Sequence, residues 1–287
     1  MRVFLFGANG QVGRETLAAA HGAGARIIAP GRADADLSVP GAAADAIRLF
    51  APDAVINAAA WTAVDKAEEH ANEAFRINAE AVGEIAAAAS EVGARFIHLS
   101  TDYVFPGTGS TPLSETAPTG PLNVYGASKL KGEALALAAN ANSVIIRTSW
   151  VYSVHGVNFV KTMLGLSKTR DELAIVDDQR GGPTPASAVA AACLQVAARR
   201  DGPSGLYHFQ GAPDASWADF AEAIFAAAGK RMKINRIPTS AYKTPARRPL
   251  FTVLNCAKLL RDYGVHQPEW RGDVERAVRR LIASHEE

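Results

Sequence analysis

Cysteine is nearly absent from the sequence, which contains only Cys193 and Cys256 among 287 residues. Two cysteines cannot build the network of disulfide bridges that small secreted domains use in place of a large core. A chain of this length is instead long enough to bury a core of its own, as one large domain or two smaller ones. We therefore expect a reducing compartment and two buried, apolar cysteine side chains.

An excess of charge of one sign and long apolar runs are also missing. The 30 Lys and Arg residues and 29 Asp and Glu residues give a net charge of +1, whereas nucleic-acid-binding domains are typically basic. No apolar stretch reaches the roughly 18 residues that span a bilayer, and the N-terminus has no signal-peptide pattern. The sequence thus predicts a cytoplasmic protein with no nucleic-acid or membrane partner.

What the chain does contain is an alternation of short β-branched segments and longer alanine-rich segments. The alternation predicts βαβ units and a parallel sheet. The expected fold class is α/β, a Rossmann-type doubly wound parallel sheet with a smaller mixed α/β substrate-binding lobe towards the C-terminus. Strands are predicted at residues 3–6, 25–29, 53–57, 95–100 and 143–147, and helices at residues 12–21, 41–50, 72–88 and 127–139.

After Trp150 the pattern becomes irregular. We predict a dinucleotide-binding domain in residues 1–150, joined by part of 186–204, and a lobe formed mostly by residues 151–185 and 205–287. The Pro- and Gly-containing stretches at 177–185 and 245–249 are the expected crossings between the two. The predicted elements here are helices at 158–167, 187–198, 217–228 and 274–284 and a strand at 205–210.

A glycine-rich turn directly follows the first predicted strand, with Gly7, Gly10 and Gly13 spaced Gly-x-x-Gly-x-x-Gly. In this context glycines let backbone amides approach a pyrophosphate at a helix N-terminus. This spacing differs from the Gly-x-Gly-x-x-Gly fingerprint of dinucleotide-binding folds. The prediction of a dinucleotide site therefore depends on the position of the turn, directly after a strand. A tight turn that binds no ligand is the alternative.

The second predicted strand ends without an acid, and Arg32 follows at once. An acid at this place holds the ribose hydroxyls of NAD, whereas an arginine accommodates the 2′-phosphate of NADP. We therefore predict NADPH as the cofactor and leave NADH open. A solvated loop charge is the alternative interpretation of Arg32.

Tyr125 and Lys129 lie four residues apart, so at the start of a helix both side chains share one face. A neighbouring ammonium lowers the pKa of a phenol, which then serves as a proton donor or acceptor, as carbonyl reduction requires. Thr101 ends the fourth predicted strand, and ligands of such sheets bind at the carboxyl ends of strands. Thr101, Tyr125 and Lys129 are the predicted catalytic residues, although a threonine there can also simply pack.

These motifs resemble the extended short-chain dehydrogenase/reductases, and within them the dTDP-4-dehydrorhamnose reductases. The resemblance covers nearly the whole chain. The segments that carry it are residues 55–68, 101–109, 121–126, 147–152, 158–164 and 205–208, together with Asp178-Gln179 and Pro183-Thr184.

The resemblance implies reduction of the 4-keto group of dTDP-4-dehydro-L-rhamnose to dTDP-L-rhamnose, the last step in making an activated deoxysugar for bacterial envelope polysaccharides. It implies that Tyr125 protonates the oxygen at C4, that Lys129 holds the nicotinamide ribose, and that Thr101 orients the substrate oxygen. The cofactor residues implied by motif and resemblance together are Gly7, Gly10, Gln11, Val12, Gly13, Arg32, Asp36, Leu37, Ala58, Ala59, Ala60, Thr62, Leu99, Tyr125 and Lys129.

For the substrate, the resemblance implies contacts from Val64, Thr101, Asp102 and Trp150. An indole face packs well on a pyranose ring, although Trp150 can equally belong to the core. Arg248, beside Arg247, is expected at the diphosphate because a guanidinium fork suits phosphate oxygens. A solvated pair of arginines is the alternative.

A metal site is not predicted. Some members of the resembled family bind Mg²⁺ between subunits through glutamates, and Glu15 stands at one such place. Ser187, however, occupies the position where a second carboxylate is expected. A homodimer therefore stays an open alternative.

Three other functions share the predicted fold. A sugar-nucleotide 4,6-dehydratase requires a second acid after Asp102, where this chain has Tyr103. A reductase of another nucleotide 4-keto sugar stays open. So does a non-catalytic NADP-binding regulatory subunit resembling methionine adenosyltransferase β, since a fold does not fix a function.

Overall fold

A computed structural model describes residues 1–283 of the chain. Its strands are β1 (Arg2–Phe6), β2 (Arg26–Ile28), β3 (Ala54–Asn57), β4 (Arg95–Thr101), β5 (Ser143–Thr148), β6 (Val151–Tyr152), β7 (Glu172–Val176), β8 (Arg180–Gly181), β9 (Thr184–Pro185), β10 (Gly205–His208), β11 (Ala215–Ser216) and β12 (Lys233–Ile237). Its α-helices are α1 (Gln11–Ala19), α2 (Ala42–Phe50), α3 (Val64–Ala67), α4 (Ala71–Phe75), α5 (Ala81–Glu91), α6 (Val124–Ala139), α7 (Phe159–Leu166), α8 (Ala186–Ala198), α9 (Trp217–Ala227), α10 (Ala257–Tyr263) and α11 (Trp270–Ala283).

The central sheet has six strands in the order β10-β5-β4-β3-β1-β2, and every neighbouring pair is parallel. The chain runs from β1 outward to β2 and then returns to the other side of β1 through β3. Ligands of doubly wound sheets bind at the carboxyl ends of strands where the strand order reverses. The predicted doubly wound α/β fold is confirmed, and the reversal lies between β1 and β3.

Strand β1 shows why the sheet is covered on both faces. Successive side chains of a strand point to opposite faces. Val3 and Leu5 pack in one buried cluster with residues of α8, and Phe4 and Phe6 pack in a second cluster with residues of α2 and α5. A strand buried on both faces is apolar throughout rather than alternating, which explains the uninterrupted apolar run at 3–6.

The smaller lobe has a separate core built from α7, α9 and α11. Tyr152, Phe220 and Trp270 are its large buried aromatic residues. Strands β7 and β12 form a parallel pair in this lobe, and the sequence did not predict either of them. Each has only five residues, and β12 has no fully buried residue, so neither carries a periodic pattern long enough to separate it from a loop.

The predicted helix at 72–88 is interrupted. Helices α4 and α5 are separated by a π-helical turn at Arg76–Glu80. Asn78 lies buried in this turn, where its side chain accepts a hydrogen bond from the Trp61 backbone N–H at 2.8 Å and donates to the Trp61 carbonyl and Ser128 Oγ, each at 3.0 Å. Side-chain bonds of this kind offset the extra residue that a π turn inserts.

The domain boundaries stay a prediction, but β10 refines them. Residues 205–208, which the sequence assigned with 205–287 to the lobe, pair with β5 in the central sheet. Helix α8 packs against this sheet in the same cluster as Val3 and Leu5. The last helix begins at Trp270, before the predicted residue 274, and its predicted end at Ser284 lies outside the described residues.

Two further expectations concern cysteines and the membrane. Cys193 and Cys256 are buried and free. Within residues 1–283 no helix is both long and apolar enough to cross a bilayer.

Candidate active site

The turn between β1 and α1 is closely packed and leaves a helix N-terminus uncapped by side chains. Gly7 has φ +80°, and a Cβ there would lie 2.6 Å from backbone atoms of Ala58 and Ala59. A Cβ on Gly13 would lie 2.1 Å from the Gly7 carbonyl oxygen. Gly10, the N-cap of α1, makes no side-chain capping bond. Backbone N–H groups at such an end suit a pyrophosphate, which the predicted residues Gln11 and Val12 would meet.

The Gln11 side chain faces the lobe instead. Its Nε2 donates to the Val151 carbonyl at 3.3 Å, and its Oε1 accepts from Ser153 Oγ at 3.2 Å and Asn158 Nδ2 at 2.9 Å. These bonds tie the glycine turn to the lobe. The backbone N–H of Gln11, rather than its side chain, is therefore the group left to face a phosphate.

Arg32 and Asp36 pair with each other beyond the end of β2. Arg32 Nε donates to Asp36 Oδ2 at 2.9 Å, and the Arg32 side chain is 78% exposed. Hydrogen bonds from the Ser38 backbone and hydroxyl, with Arg32 beside them, lower the pKa of Asp36. Leu37, the next residue after Asp36, is buried. An exposed guanidinium held at this edge is available to a 2′-phosphate.

The segment after β3 passes close to the glycine turn. Ala58 and Ala59 are the residues against which Gly7 packs, and the Ala59 N–H donates to Asn57 Oδ1 at 3.0 Å. Ala60 is partly buried and Thr62 is exposed. The structure thus brings Ala58 and Ala59 to the predicted cofactor edge, with Ala60 and Thr62 further along the same segment.

The three predicted catalytic residues come from β4 and α6. Thr101 is the last residue of β4, and Asn123 caps α6 by accepting from the Gly126 N–H at 2.8 Å. This cap starts the helix just before Tyr125, and the Thr101 hydroxyl is among the groups that lower the pKa of its phenol. Lys129 is buried one turn later, where its Nζ donates to the Leu99 carbonyl at 2.6 Å.

The acidity of Tyr125 differs from the sequence-based expectation. Burial raises the pKa of Tyr125 to about 12, the Thr101 contact lowers it only in part, and Lys129 is not among the groups that act on it. Burial also lowers the pKa of Lys129 to about 7, against an opposing effect of the Glu133 carboxylate. The predicted lowering of the Tyr125 pKa by Lys129 is therefore wrong, because the lysine is itself desolvated and directed at the Leu99 carbonyl.

Asp102 is buried beside Thr101, with both carboxylate oxygens bonded. Thr101 Oγ1 donates to Oδ1 at 3.1 Å, and Thr252 Oγ1 donates to Oδ2 at 2.6 Å. Burial raises the pKa of Asp102 to about 6, and these two hydroxyls oppose the rise. Asp102 therefore holds Thr101 in place, and Thr252, from a distant part of the chain, holds Asp102.

Trp150 lies where the sheet meets the lobe, with a backbone φ of +46°. Its indole stacks on Trp217, with ring centroids 3.7 Å apart and planes 10° apart. A Cβ on Gly181 would lie 2.8 Å from the Trp150 ring. Positive φ in a bulky residue is uncommon and occurs most often at functional sites. One face of Trp150 is thus covered by Trp217.

Arg248 is paired within the protein. Its guanidinium donates to both oxygens of Asp65, at 2.9 and 2.8 Å, and to the Ala246 carbonyl at 2.7 Å. The Arg248 hydrogen bonds lower the pKa of Asp65. Asp65 belongs to α3, which begins at the partly buried Val64. Arg247 is exposed, and its backbone carbonyl accepts from Asn123 Nδ2 at 2.8 Å.

Sequence reasoning missed three residues near this group. Trp217 was identified only as the start of a helix, and Thr252 carries no motif that marks it. His98, buried in β4, lies 3.1 Å from Lys129 Nζ through its Nε2. The only signal for His98 was a polar residue inside an otherwise buried strand, where polar side chains need a partner.

The Glu15 region brings carboxylates and guanidinium groups together around one small cavity. Glu15 lies 3.8 Å from His155 Nε2 and lines a cavity with Ser187, Arg276 and Arg280. The same lining holds the Asp273 carboxylate. Within residues 1–283 no group of three or more His, Cys, Asp or Glu side chains is placed to hold a metal ion.

A doubly wound sheet with an uncapped glycine turn, and with a buried Thr101 and Lys129 beside a partly buried Tyr125, defines an oxidoreductase of the extended short-chain dehydrogenase/reductase class. Comparison with known proteins narrows this class. The family model described as "RmlD substrate binding domain" matches residues 1–283. The chain is 44% identical to dTDP-4-dehydrorhamnose reductase of Escherichia coli strain K12, with 99% of each chain covered.

Two solved structures are closely similar. One is a crystal structure of a dTDP-4-dehydrorhamnose reductase from Clostridium acetobutylicum, with TM-score 0.94, 38% identity and coverage of 98% of this chain and 100% of that chain. The other is dTDP-4-dehydrorhamnose reductase from Bacillus anthracis in complex with NADP, with TM-score 0.91, 32% identity and coverage of 97% and 99%. This chain belongs to the dTDP-4-dehydrorhamnose reductase family.

Proposed function

We propose that this chain reduces the 4-keto group of dTDP-4-dehydro-L-rhamnose to dTDP-L-rhamnose with NADPH. Family membership over nearly the whole chain supports the substrate. The observation that carries the reaction type is the placement of Thr101 at the end of β4, Tyr125 in the first turn of α6, and a buried Lys129 bonded to the Leu99 carbonyl. Hydroxyl, phenol and amine at one place suit protonation of a carbonyl oxygen.

NADPH supplies the hydride when it is bound. The uncapped first turn of α1 would hold its pyrophosphate, because the N–H groups of Gln11, Val12 and Gly13 point out of the helix end. Arg32 would pair with the 2′-phosphate, while Asp36 and Leu37 would lie near the adenine. The NADP in the similar Bacillus anthracis structure supports this cofactor choice.

Tyr125 is the proposed proton donor. With its pKa raised to about 12, the phenol is protonated at neutral pH and can donate to the oxygen that becomes the product hydroxyl. Transfer becomes easier as the pKa of the donor approaches the working pH, so a positive charge arriving beside Tyr125 would accelerate the step. Asp102 holds the Thr101 hydroxyl, which would orient the carbonyl by turning its one hydrogen from Asp102 to the substrate oxygen.

The sugar would lie between this group and the lobe. The exposed part of Trp150 would cover the pyranose ring, with Val64 as a further wall. Arg248 is the proposed diphosphate contact, since its bidentate pair with Asp65 fixes the guanidinium near the site.

The test is NADPH oxidation with enzymatically generated dTDP-4-dehydro-L-rhamnose, compared with NADH and with a blank lacking the sugar. We expect Tyr125→Phe to lower kcat by roughly 100-fold or more, the usual contribution of a general acid, without changing the melting temperature by more than a few degrees. Tyr103→Phe is the matched control, because the Tyr103 ring packs edge-on against Tyr125 at 5.8 Å.

Other outcomes would favour the other functions. Turnover only with a different nucleotide 4-keto sugar would change the substrate. Loss of water from the sugar without net NADPH consumption would indicate a dehydratase. Tight NADP binding with no turnover of any keto sugar would favour a regulatory subunit and would contradict the proposal.

Assembly and location stay predictions. The possible homodimer is tested by the sedimentation coefficient of the purified chain. The cytoplasmic location is tested by fractionation of the source cells. The two guanidinium groups that line the cavity with Glu15 lead us to expect that any dimer forms without Mg²⁺, so EDTA would leave the sedimentation coefficient unchanged.

A further inference from the structure

His98 and Lys129 make a buried contact to which the proposed reaction assigns no role. His98 is fully buried in β4, and its Nε2 lies 3.1 Å from Lys129 Nζ. Its Nδ1 lies 3.2 Å from Asn57 Nδ2. A neutral imidazole has one N–H and one bare nitrogen, and the partner of one nitrogen decides which is which.

The orientation of the Asn57 amide is fixed by its neighbour. The Ala59 backbone N–H lies 3.0 Å from Asn57 Oδ1, and a backbone N–H can only donate. The atom that faces Ala59 must therefore be the amide oxygen, which leaves the NH₂ group facing His98. The reversed amide would set two donors against each other in a buried place and leave both unsatisfied.

The donor on Asn57 in turn fixes the imidazole. Asn57 Nδ2 donates to His98 Nδ1, so Nδ1 is the bare nitrogen and the proton is on Nε2. A doubly protonated ring is disfavoured, since burial and the nearby Lys129 hold the pKa of His98 well below its usual range. His98 therefore presents an N–H, and not an acceptor, to Lys129.

We propose that Ala59, Asn57 and His98 form a directed hydrogen-bond chain that holds Lys129 as the neutral amine. An imidazole N–H needs an acceptor, and a lysine offers a lone pair only when it has lost its third proton. Lys129 then donates one of its remaining hydrogens to the Leu99 carbonyl at 2.6 Å. His98 and Asn57 are thus positioning residues for Lys129.

The acidic and phenolic groups near Lys129 do not restore its ammonium form against the N–H of His98. Glu133 favours the ammonium, but its carboxylate is engaged by Arg147 at 2.6 and 2.8 Å and by Ser100 Oγ at 2.5 Å. Tyr125 on α6 is uncharged at neutral pH, because burial raises its pKa. The remaining nearby acid, Asp102, is held by Thr101 and Thr252.

This assignment has a consequence for the acidity of the Tyr125 phenol. A neutral amine carries no charge to stabilise the phenolate. Lys129 gains that charge only when its lone pair leaves His98, so the protonation of Lys129 is coupled to a change at this contact. The inference deepens the proposed function, yet its readouts do not depend on turnover.

The test is the protonation of the imidazole nitrogens in the full-length ¹⁵N-labelled protein, read from long-range ¹H–¹⁵N correlations near neutral pH. His208 is the internal control, since its Nδ1 lies 3.0 Å from the Leu113 carbonyl and must carry the proton. We expect the two buried histidines to show opposite tautomers, Nε2–H for His98 and Nδ1–H for His208. A His98 protonated on Nδ1 would overturn the proposal.

A variant tests the consequence for Lys129. In Asn57→Asp a carboxylate accepts from both Ala59 N–H and His98 Nδ1–H, which frees Nε2 to accept from an ammonium. We expect the His98 tautomer to switch while His208 stays unchanged, and the pKa of Lys129, followed by NMR of its side-chain carbon, to rise by more than one pH unit. If Asn57→Asp does not fold, Asn57→Ser gives the imidazole a partner that can accept, and we expect the same direction with a smaller rise. A switched tautomer with an unchanged Lys129 pKa would refute the coupling, whatever the activity with the sugar.

Discussion

Arg32 lies at the edge of the sheet where the cofactor is predicted to bind, and its guanidinium is paired with the Asp36 carboxylate. Its guanidinium is 78% exposed and pairs with Asp36 at 2.9 Å. An exposed pair of this kind stabilises the fold by at most about 1 kcal/mol, so a phosphate can replace Asp36 at little cost. We therefore expect Arg32 to favour NADPH over NADH through its charge rather than through the shape of the site.

We predict that Arg32→Ala raises the KM for NADPH about tenfold, the equivalent of one charge-assisted hydrogen bond, and leaves the KM for NADH unchanged. Arg26→Ala is the control, because Arg26 is exposed at the opposite end of β2. The measurement is initial rate against cofactor concentration. Equal losses with both cofactors would show that Arg32 does not meet the 2′-phosphate.

Arg248 and Arg247 are adjacent in the sequence but have different surroundings. Comparing variants of the two therefore distinguishes an arginine that contacts the substrate from a solvated one. Arg248 is held by Asp65 and the Ala246 carbonyl, whereas Arg247 is exposed. We predict that Arg248→Lys raises the KM for the nucleotide sugar about tenfold, since lysine cannot reproduce a bidentate fork. Arg247→Lys should change it little. A lower melting temperature of Arg248→Lys with an unchanged KM would make Arg248 a structural residue only.

At the scale of elements, the turn between β1 and α1 has no room for side chains. We predict that Gly13→Ala lowers the free energy of unfolding by about 3 kcal/mol or more, because its Cβ would lie 2.1 Å from the Gly7 carbonyl oxygen. Gly165→Ala in α7 is the matched control. Nothing lies within 4 Å of a Cβ at Gly165, and alanine favours a helix by about 0.5–1 kcal/mol. Urea denaturation distinguishes the two, and equal effects would contradict the packing argument.

Elements with a long apolar pattern were predictable, and those fixed by side-chain bonds from distant residues were not. The five N-terminal strands and their helices follow from local periodicity. The π turn does not, because Asn78 is satisfied by Trp61 and Ser128, which lie 17 and 50 residues away. Thr252 was not predictable for the same reason, because its partner Asp102 lies 150 residues away in the sequence. The motif residues were visible because local spacing places Tyr125 and Lys129 on one helix face.

At the scale of the whole molecule, the buried and titratable Lys129 lowers the free energy of unfolding. Burial lowers the pKa of Lys129 from 10.5 to about 7. Between these values the unfolded chain binds a proton that the folded chain does not. The free energy of unfolding therefore rises with pH in this window, by up to about 1.4 kcal/mol per pH unit, and the penalty is largest below about pH 7.

We predict that Lys129→Met abolishes turnover but makes the fold more stable, since methionine fills a similar volume without a charge to desolvate. The gain in the free energy of unfolding over the unsubstituted protein should be several kcal/mol near pH 6 and should shrink steadily towards about pH 9, as the native lysine loses its disadvantage. Urea denaturation across this range measures it. Lys131→Met, at an exposed position two residues along α6, should show no such trend. A gain that does not depend on pH would mean that Lys129→Met acts through packing, and that the buried amine titrates outside this window.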